Sequence, residues 1–201
     1  MIKLYHASRT RSVRIYWLLE ELAVPYELVV VPFIPPLPPA KPFHQQTPFG
    51  KFPAIEDGSV TMFESGAILE YILERYGNGR LAPAPGSPQR GPFLQWVHFA
   101  EGTAFPGLGN LAWHMFKNDA DSMPDAIADY RGWATAALDL LEQTLSGKEY
   151  LLGADFSGAD IMIGYTLQCA KWFGLLTDSY PRLGSYLERL AARPAFRKAF
   201  A

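Results

Sequence analysis

The chain predicts an α/β N-terminal domain of order βαβ-ββα followed by an all-α domain, and three features of its 201 residues carry that expectation. Strand and helix patterns alternate as far as Gly77, an Asp-Gly pair at 57 and 58 splits one extended run in two, and beyond a proline- and glycine-rich linker only helical periodicity remains. An apolar fraction of 49% supplies ample material for packed cores.

Residues 2 to 6 (IKLYH) read as a strand. Arg11 to Val24 reads as a helix with Ile15, Leu18, Leu19 and Leu22 on one face, stopped by Pro25. YELVVV follows as a β-branched second strand, so this first portion is a parallel βαβ unit. Residues 32 to 42 (PFIPPLPPAKP) hold six prolines in eleven positions, which excludes regular helix or a central strand and predicts a stiff, extended excursion. Asp57-Gly58, between AIE and SVTM, predicts a two-residue turn and hence an antiparallel hairpin. SGAILEYILERY then reads as a helix with Ile68, Tyr71 and Ile72 inward and Gly77 at its C′ position.

Residues 78 to 88 (NGRLAPAPGSP) form the linker, ending with Ser87 as an N-cap and Pro88 at the first helical position. Phe93, Trp96, Val97 and Ala100 share one helical face, and 124 to 146 predicts a long helix burying Ile127, Tyr130, Ala134, Leu138, Leu141 and Leu145. In GADFSGADIMIGY, Ser157 reads as an N-cap with Asp160 at N3, an acidic version of the capping box and a structural device. The expected organisation is a domain over 1–77, a linker over 78–88 and an all-helical domain over 89–201.

A net charge of −2 and a pI near 6.1 leave no electrostatic footprint for nucleic acid or an anionic membrane. No stretch approaches the roughly 20 apolar residues of a membrane span, and MIKLYHASRTR lacks a signal peptide's apolar core, so a cytoplasmic location is expected. The single cysteine, Cys169, sits in an apolar helical run and reads as a buried, inert thiol. His6, His44, His98 and His114 lack metal-ligand spacing and no P-loop occurs, so neither metal nor nucleotide is expected. The five tryptophans (Trp17, Trp96, Trp113, Trp133, Trp172) read individually as helix-bundle core.

Chemistry concentrates around FGKFPAIEDGSVTMFES. Proline accepts a cis peptide bond, and a cis Phe52-Pro53 at a strand entrance turns the Phe52 backbone N-H and C=O away from the sheet, where an extended peptide ligand could meet both. At the other end of the hairpin, a helix starting near Ser65 offers free N-H groups, a positive dipole end and a hydroxyl to a carboxylate, while Glu64 can pair with an ammonium group. The exit of the first strand, HASRTRSVR, places the hydroxyls of Ser8, Thr10 and Ser12 near the start of the first helix. A free thiol of pKa about 8.5 is only a few per cent thiolate at neutral pH. A hydroxyl and helix amides that lowered its pKa by about two units would raise that fraction roughly twentyfold.

With TRSVRIYWLLEELAVPYE, FGKFPAI, FESGAILEYI and FSGADIMIGY in this order, the chain resembles the cytosolic glutathione transferase superfamily, particularly its bacterial members, over essentially its whole length. The resemblance implies a thioredoxin-like N-terminal domain that binds glutathione, with Phe52 beside cis-Pro53 gripping the cysteinyl part and Glu64 and Ser65 the γ-glutamyl end. The family's catalytic hydroxyl stands four positions before an arginine, which Thr10 and Arg14 match, with Ser8 second and Ser12 third. Tyr5 lies near the position of the tyrosine-using members but off that alignment. Lys51 could meet a glutathione carboxylate. The helical domain would then contribute an apolar electrophile pocket, for which His98, Phe105, Trp113 and Trp172 are candidates, and the molecule would be a homodimer. The absence of cysteine at 8 to 12 argues against mixed-disulfide chemistry by the protein itself. A non-catalytic interaction module, or a glutathione-dependent reductase or isomerase, is the alternative on the same scaffold.

Overall fold

Strand β1 (Ile2–His6) is the hub of a four-stranded sheet in the computed structural model, which describes residues 1–32 and 50–201. All but the first residue of the proline-rich excursion lies outside the described residues, as does His44. The chain forms two compact units, Met1–Pro83 with Ala192–Ala201, and Ala84–Ala191.

In the first unit β1 leads into α1 (Ser12–Leu22) and then β2 (Tyr26–Val30), which lies parallel to β1. The hairpin β3 (Ala54–Asp57) and β4 (Val60–Phe63) adds to the other side of β1, β3 antiparallel to it, giving the order β2-β1-β3-β4. Helix α2 (Ser65–Tyr76) completes the βαβ-ββα thioredoxin-like arrangement. Its core is aliphatic and fully buried: Leu4, Ile15, Leu18, Leu19, Ile55, Ile68, Leu69 and Ile72 are all inaccessible to solvent.

Helix α8 (Pro194–Phe200) also belongs to this unit. Trp17 of α1, itself fully buried, meets the rings of Phe196 and Phe200 at 4.9 and 6.3 Å. Arg193 grips both oxygens of Glu21 at 2.7 and 2.8 Å, the paired geometry that guanidinium and carboxylate favour.

Three expectations about this unit are corrected. Asp57 pairs with Val60, so the two-residue loop is Gly58-Ser59, one residue later than expected. Gly58 supplies the left-handed first position at φ 63°, and Asp57 is instead a buried acceptor for the hydroxyls of Tyr71 (2.8 Å) and Tyr76, beside Arg75. The Tyr76 hydroxyl above all, then those of Tyr71 and Arg75's charge, hold the Asp57 carboxyl below its ordinary range despite burial. Tyr71 is therefore half-buried at the edge of α2, and Leu69 and Leu73 join Ile68 and Ile72 on the inner face. The left-handed residue after α2 is Asn78, at φ 49°, while Gly77 keeps helical angles.

The second unit is helical throughout its described length apart from turns and one isolated bridge: α3 (Arg90–Phe99), a π turn over Ala100–Ala104, α4 (Phe105–Lys117), a 3-10 turn over Ala120–Ser122, α5 (Pro124–Thr144), α6 (Gly158–Trp172) and α7 (Pro181–Ala191). Helix α6 is its axle, with twelve of fifteen residues buried, among them Cys169. The capping box is formed: Asp160 takes the Ser157 amide at 2.7 Å and its hydroxyl at 2.9 Å. Helix α3 starts at Arg90, not after Ser87, whose carbonyl rather than hydroxyl takes the first amide. On α5 the buried stripe is Ala134, Ala137, Leu138 and Leu141, continued by Leu145, whereas Ile127 and Tyr130 are half-buried. Three tryptophans leave the core altogether: Trp113, Trp133 and Trp172 are about half exposed, and only Trp17 and Trp96 are interior.

Helices α4 and α5 approach through Gly107. A Cβ at this position would stand 2.6 Å from the Tyr130 carbonyl oxygen and 2.9 Å from the Ala134 amide nitrogen, both rigid backbone atoms. Gly107→Ala is expected to lower stability by about 2 kcal/mol, the usual scale of overpacking. The urea midpoint of the variant checks this, since an unchanged midpoint would mean that the helices part freely.

Candidate functional site

The sheet register gathers the predicted residues at one end. Tyr5 of β1 pairs with Ala54 of β3, and Ala54 pairs with Phe63 of β4, so the exit of β1, the entrance of β3 and the exit of β4 lie side by side. Loops leaving strands at such an end are where open α/β sheets place ligands.

The entrance of β3 is Phe52-Pro53, and its peptide bond is cis. Phe52 and Pro53 are buried, with Phe52 packed among Tyr5, Ala7, Val31 and Ala54, so its ring ties this turn to the loop after β1. Lys51 is exposed at the rim.

At the exit of β4 the chain turns sharply through Glu64, a non-glycine residue at φ 74° and ψ 110°. Such a backbone costs on the order of 1–3 kcal/mol and is found where a site demands it. Its effect is to start α2 immediately at Ser65, with the Glu64 side chain exposed. The first amide to find an intrahelical acceptor is that of Ile68, on the Glu64 carbonyl, which leaves the amides of Ser65, Gly66 and Ala67 at the open N-terminus. Ser65 is only 2% exposed, and its Oγ accepts from Arg14 Nη1 at 3.1 Å. Arg14 is itself fully buried, so a guanidinium charge lies beneath the helix start. A guanidinium only donates, and Ser65 therefore keeps its own proton for another acceptor.

The loop after β1 separates the three hydroxyl candidates. Ser8 is exposed, Thr10 is half-buried and Ser12 is wholly buried as the first residue of α1. Thr10 Oγ1 lies 2.7 Å from the Ala7 carbonyl and 2.8 Å from Ser12 Oγ, which also touches His6 Nδ1 at 2.9 Å. Burial lowers the pKa of His6 to about 4, so the ring is neutral at physiological pH. Burial and a hydrogen bond with Glu56 raise Tyr5 to about 12, which keeps its phenol protonated. Neither His6, expected only to lack metal-ligand spacing, nor Arg14, which marks the spacing from Thr10, is among the predicted site residues. A histidine closing the first strand and an arginine between Val13 and Ile15 in the first helix are the available signal.

In the second unit, the four pocket candidates vary in exposure. Phe105 stacks on Tyr165 at 6.0 Å, His98 is exposed, and Trp113 and Trp172 are each 46% exposed. Among the described residues no helix is long and apolar enough to cross a membrane, and no three His, Cys, Asp or Glu side chains converge as metal ligands.

A thioredoxin-like unit with this polar sheet end, continued in one chain by a helical unit, defines the class. Residues 4–83 match the family model for the glutathione S-transferase N-terminal domain, and 115–200 that for the C-terminal domain. Glutathione S-transferase 3 of Schizosaccharomyces pombe is 30% identical, with 99% of this chain and 86% of that protein aligned. The disulfide-bond oxidoreductase YfcG of Escherichia coli is also 30% identical, over 99% of this chain and 94% of that one. Among solved structures, the glutathione transferase URE2P6 from Phanerochaete chrysosporium, in complex with oxidized glutathione, superposes with a TM-score of 0.87 at 27% identity, covering 99% of this chain and 94% of its own. A sphingomonad glutathione S-transferase complexed with glutathione gives 0.85 at 28% identity, covering 98% and 96%. The chain belongs to the glutathione S-transferase family.

Proposed function

We propose that the protein binds glutathione at this sheet end, holds its sulfur as the thiolate and transfers it to an apolar electrophile, as a cytoplasmic, homodimeric enzyme of detoxification. The observation that carries the reading is the site at Glu64 and Ser65. Three open helix amides, a buried serine with its proton to spare and a buried Arg14 charge make a receptor for a carboxylate, and an exposed Glu64 carboxylate beside it suits an ammonium group. An α-amino acid head, such as the γ-glutamyl end of glutathione, presents both. Phe52 and Pro53 border the path from there to the β1 exit and would meet the cysteinyl backbone, with Lys51 at the rim for a carboxylate. Thr10, half-exposed where Ser12 is buried, is the hydroxyl best placed to donate to the sulfur. The glutathione-bound relatives support the same ligand.

The test is a glutathione titration read by the ultraviolet absorbance of the thiolate. Ser65→Ala is expected to weaken binding by about tenfold to a hundredfold, the worth of a hydrogen bond to a charged group. The thiol pKa of whatever glutathione still binds should stay put. Thr10→Val should do the reverse, holding the ligand while the thiolate signal falls. Binding without thiolate in the wild type would turn the reading toward a non-catalytic module, and no binding would end it.

The kinship with YfcG favours a second reading, glutathione-dependent reduction of a disulfide. Comparing turnover of an aryl halide with turnover of a small-molecule disulfide separates the two.

A further inference from the structure

Ser12 Oγ meets four polar groups in the core: the Ala7 amide at 3.2 Å, the Ala7 carbonyl at 3.1 Å, the Thr10 hydroxyl at 2.8 Å and His6 Nδ1 at 2.9 Å. A hydroxyl has one proton to give and two lone pairs to fill. Thr10 Oγ1 likewise stands 2.7 Å from the Ala7 carbonyl and accepts the Ser12 amide at 3.3 Å. As these distances stand, Thr10 spends its proton on the Ala7 carbonyl and has none for a ligand. A second arrangement opens when a bound thiolate draws the Thr10 hydroxyl off that carbonyl, which keeps the Thr10 amide at 3.3 Å. Ser12 then gives its proton to Thr10 Oγ1, the Thr10 proton turns outward, and the Ser12 oxygen is filled by the Ala7 amide and by an Nδ1-H of His6.

We propose that His6 and Ser12 are positioning residues: the chain His6 Nδ1-H to Ser12 to Thr10 directs the Thr10 hydroxyl proton at the thiolate sulfur of bound glutathione. This rests on the reading of Thr10 as the thiol-facing hydroxyl. The chain donates hydrogen bonds and moves no proton along itself. When the thiolate forms, the S-H bond breaks, sulfur keeps the electron pair and the proton leaves to water. A hydroxyl that accepts one hydrogen bond is a stronger donor of the next, so each link polarises Thr10 further. His6 suits the first position because it lies buried in the core, where its ring also meets Tyr16 edge-on at 5.4 Å and is held in one orientation.

The experiment is the pH titration of thiolate absorbance with saturating glutathione on wild type, Ser12→Ala, His6→Phe, His6→Asn, Thr10→Val and the Ser12→Ala/Thr10→Val double variant, each checked for folding by circular dichroism. Ser12→Ala and His6→Phe are expected to raise the bound thiol's pKa by about half a unit to one unit, the scale of a lost link in a polarised chain. His6→Asn, whose amide N-H can stand in for Nδ1-H, should recover at least half of that shift. The double variant should match Thr10→Val alone. A folded Ser12→Ala with an unshifted thiol overturns the proposal, as does a shift that persists in the Thr10→Val background. Should Ser12→Ala fail to fold, the His6→Phe and His6→Asn pair decides, and equal values for the two overturn it. Wild type that binds no glutathione defeats the functional reading itself, an outcome distinct from normal binding with an unmoved Ser12→Ala.

Discussion

Asp160→Ala is expected to cost about 3–5 kcal/mol of unfolding free energy, the summed penalty for leaving several buried donors without their acceptor. The wholly buried carboxylate holds the Ser157 amide and hydroxyl on one oxygen. Its other oxygen takes the Leu151 amide at 2.9 Å and the Tyr186 hydroxyl at 2.6 Å. It therefore joins the α6 start, the turn before it and α7 at one point. Burial raises the pKa of the Asp160 carboxyl and outweighs these four donors, which oppose the rise. Alanine would strand several donors in a dry interior. Asp160→Asn, which keeps one acceptor oxygen, should cost less, and Tyr186→Phe about 1 kcal/mol. Urea unfolding followed by tryptophan fluorescence orders the three, and an alanine variant as stable as wild type would mean that water replaces the carboxylate.

The second large effect is in pH. His6 has an ordinary pKa of 6.5 and a folded value lowered to about 4 by burial. As pH falls, the unfolded chain binds its proton first, so the stabilisation from keeping the ring neutral is complete above about pH 6.5 and is lost on the way down to about 4. Between about pH 7.5 and 4.5 the loss is about 2.5 kcal/mol. Ser12 and the edge of Tyr16 face the ring, and neither offers a carboxylate to offset the charge. The difference between wild type and His6→Asn, measured by urea unfolding at both pH values, isolates this contribution from the carboxylates that titrate in the same range. Parallel curves for the two proteins would show that the imidazole is protonated without penalty.

The backbone plan was legible because local rules and global fold agree. IKLYH and YELVVV became β1 and β2, Ser157 and Asp160 became a capping box, and Ser65 opened α2, each from signals within a few residues. The errors fall where distant partners decide. Asp57 left the turn because Tyr71 and Tyr76, fourteen and nineteen residues on, capture its carboxylate. Tyr71 stays at the margin of α2 for the same reason. Periodicity could not separate Trp17 from Trp133, because exposure of a helix face depends on what packs against it, and α8 covers the first while the second is left half bare. At the candidate site, the places of Phe52, Glu64 and Ser65 at the strand entrance and helix start were readable from turn chemistry, but the surroundings of Ser8, Thr10 and Ser12 were not. Burial and the convergence of His6 and Ala7 on Ser12 are properties of the folded corner.

Helix α8 has a bearing on biosynthesis. The aromatic seat of Trp17 and the partner of Glu21 lie within residues 193–200, which a ribosome adds after every residue of the helical unit. The sheet-bearing unit is begun before the helical unit and its flank is sealed only by chain made after it, so the usual order of one domain finishing before the next begins does not hold for it.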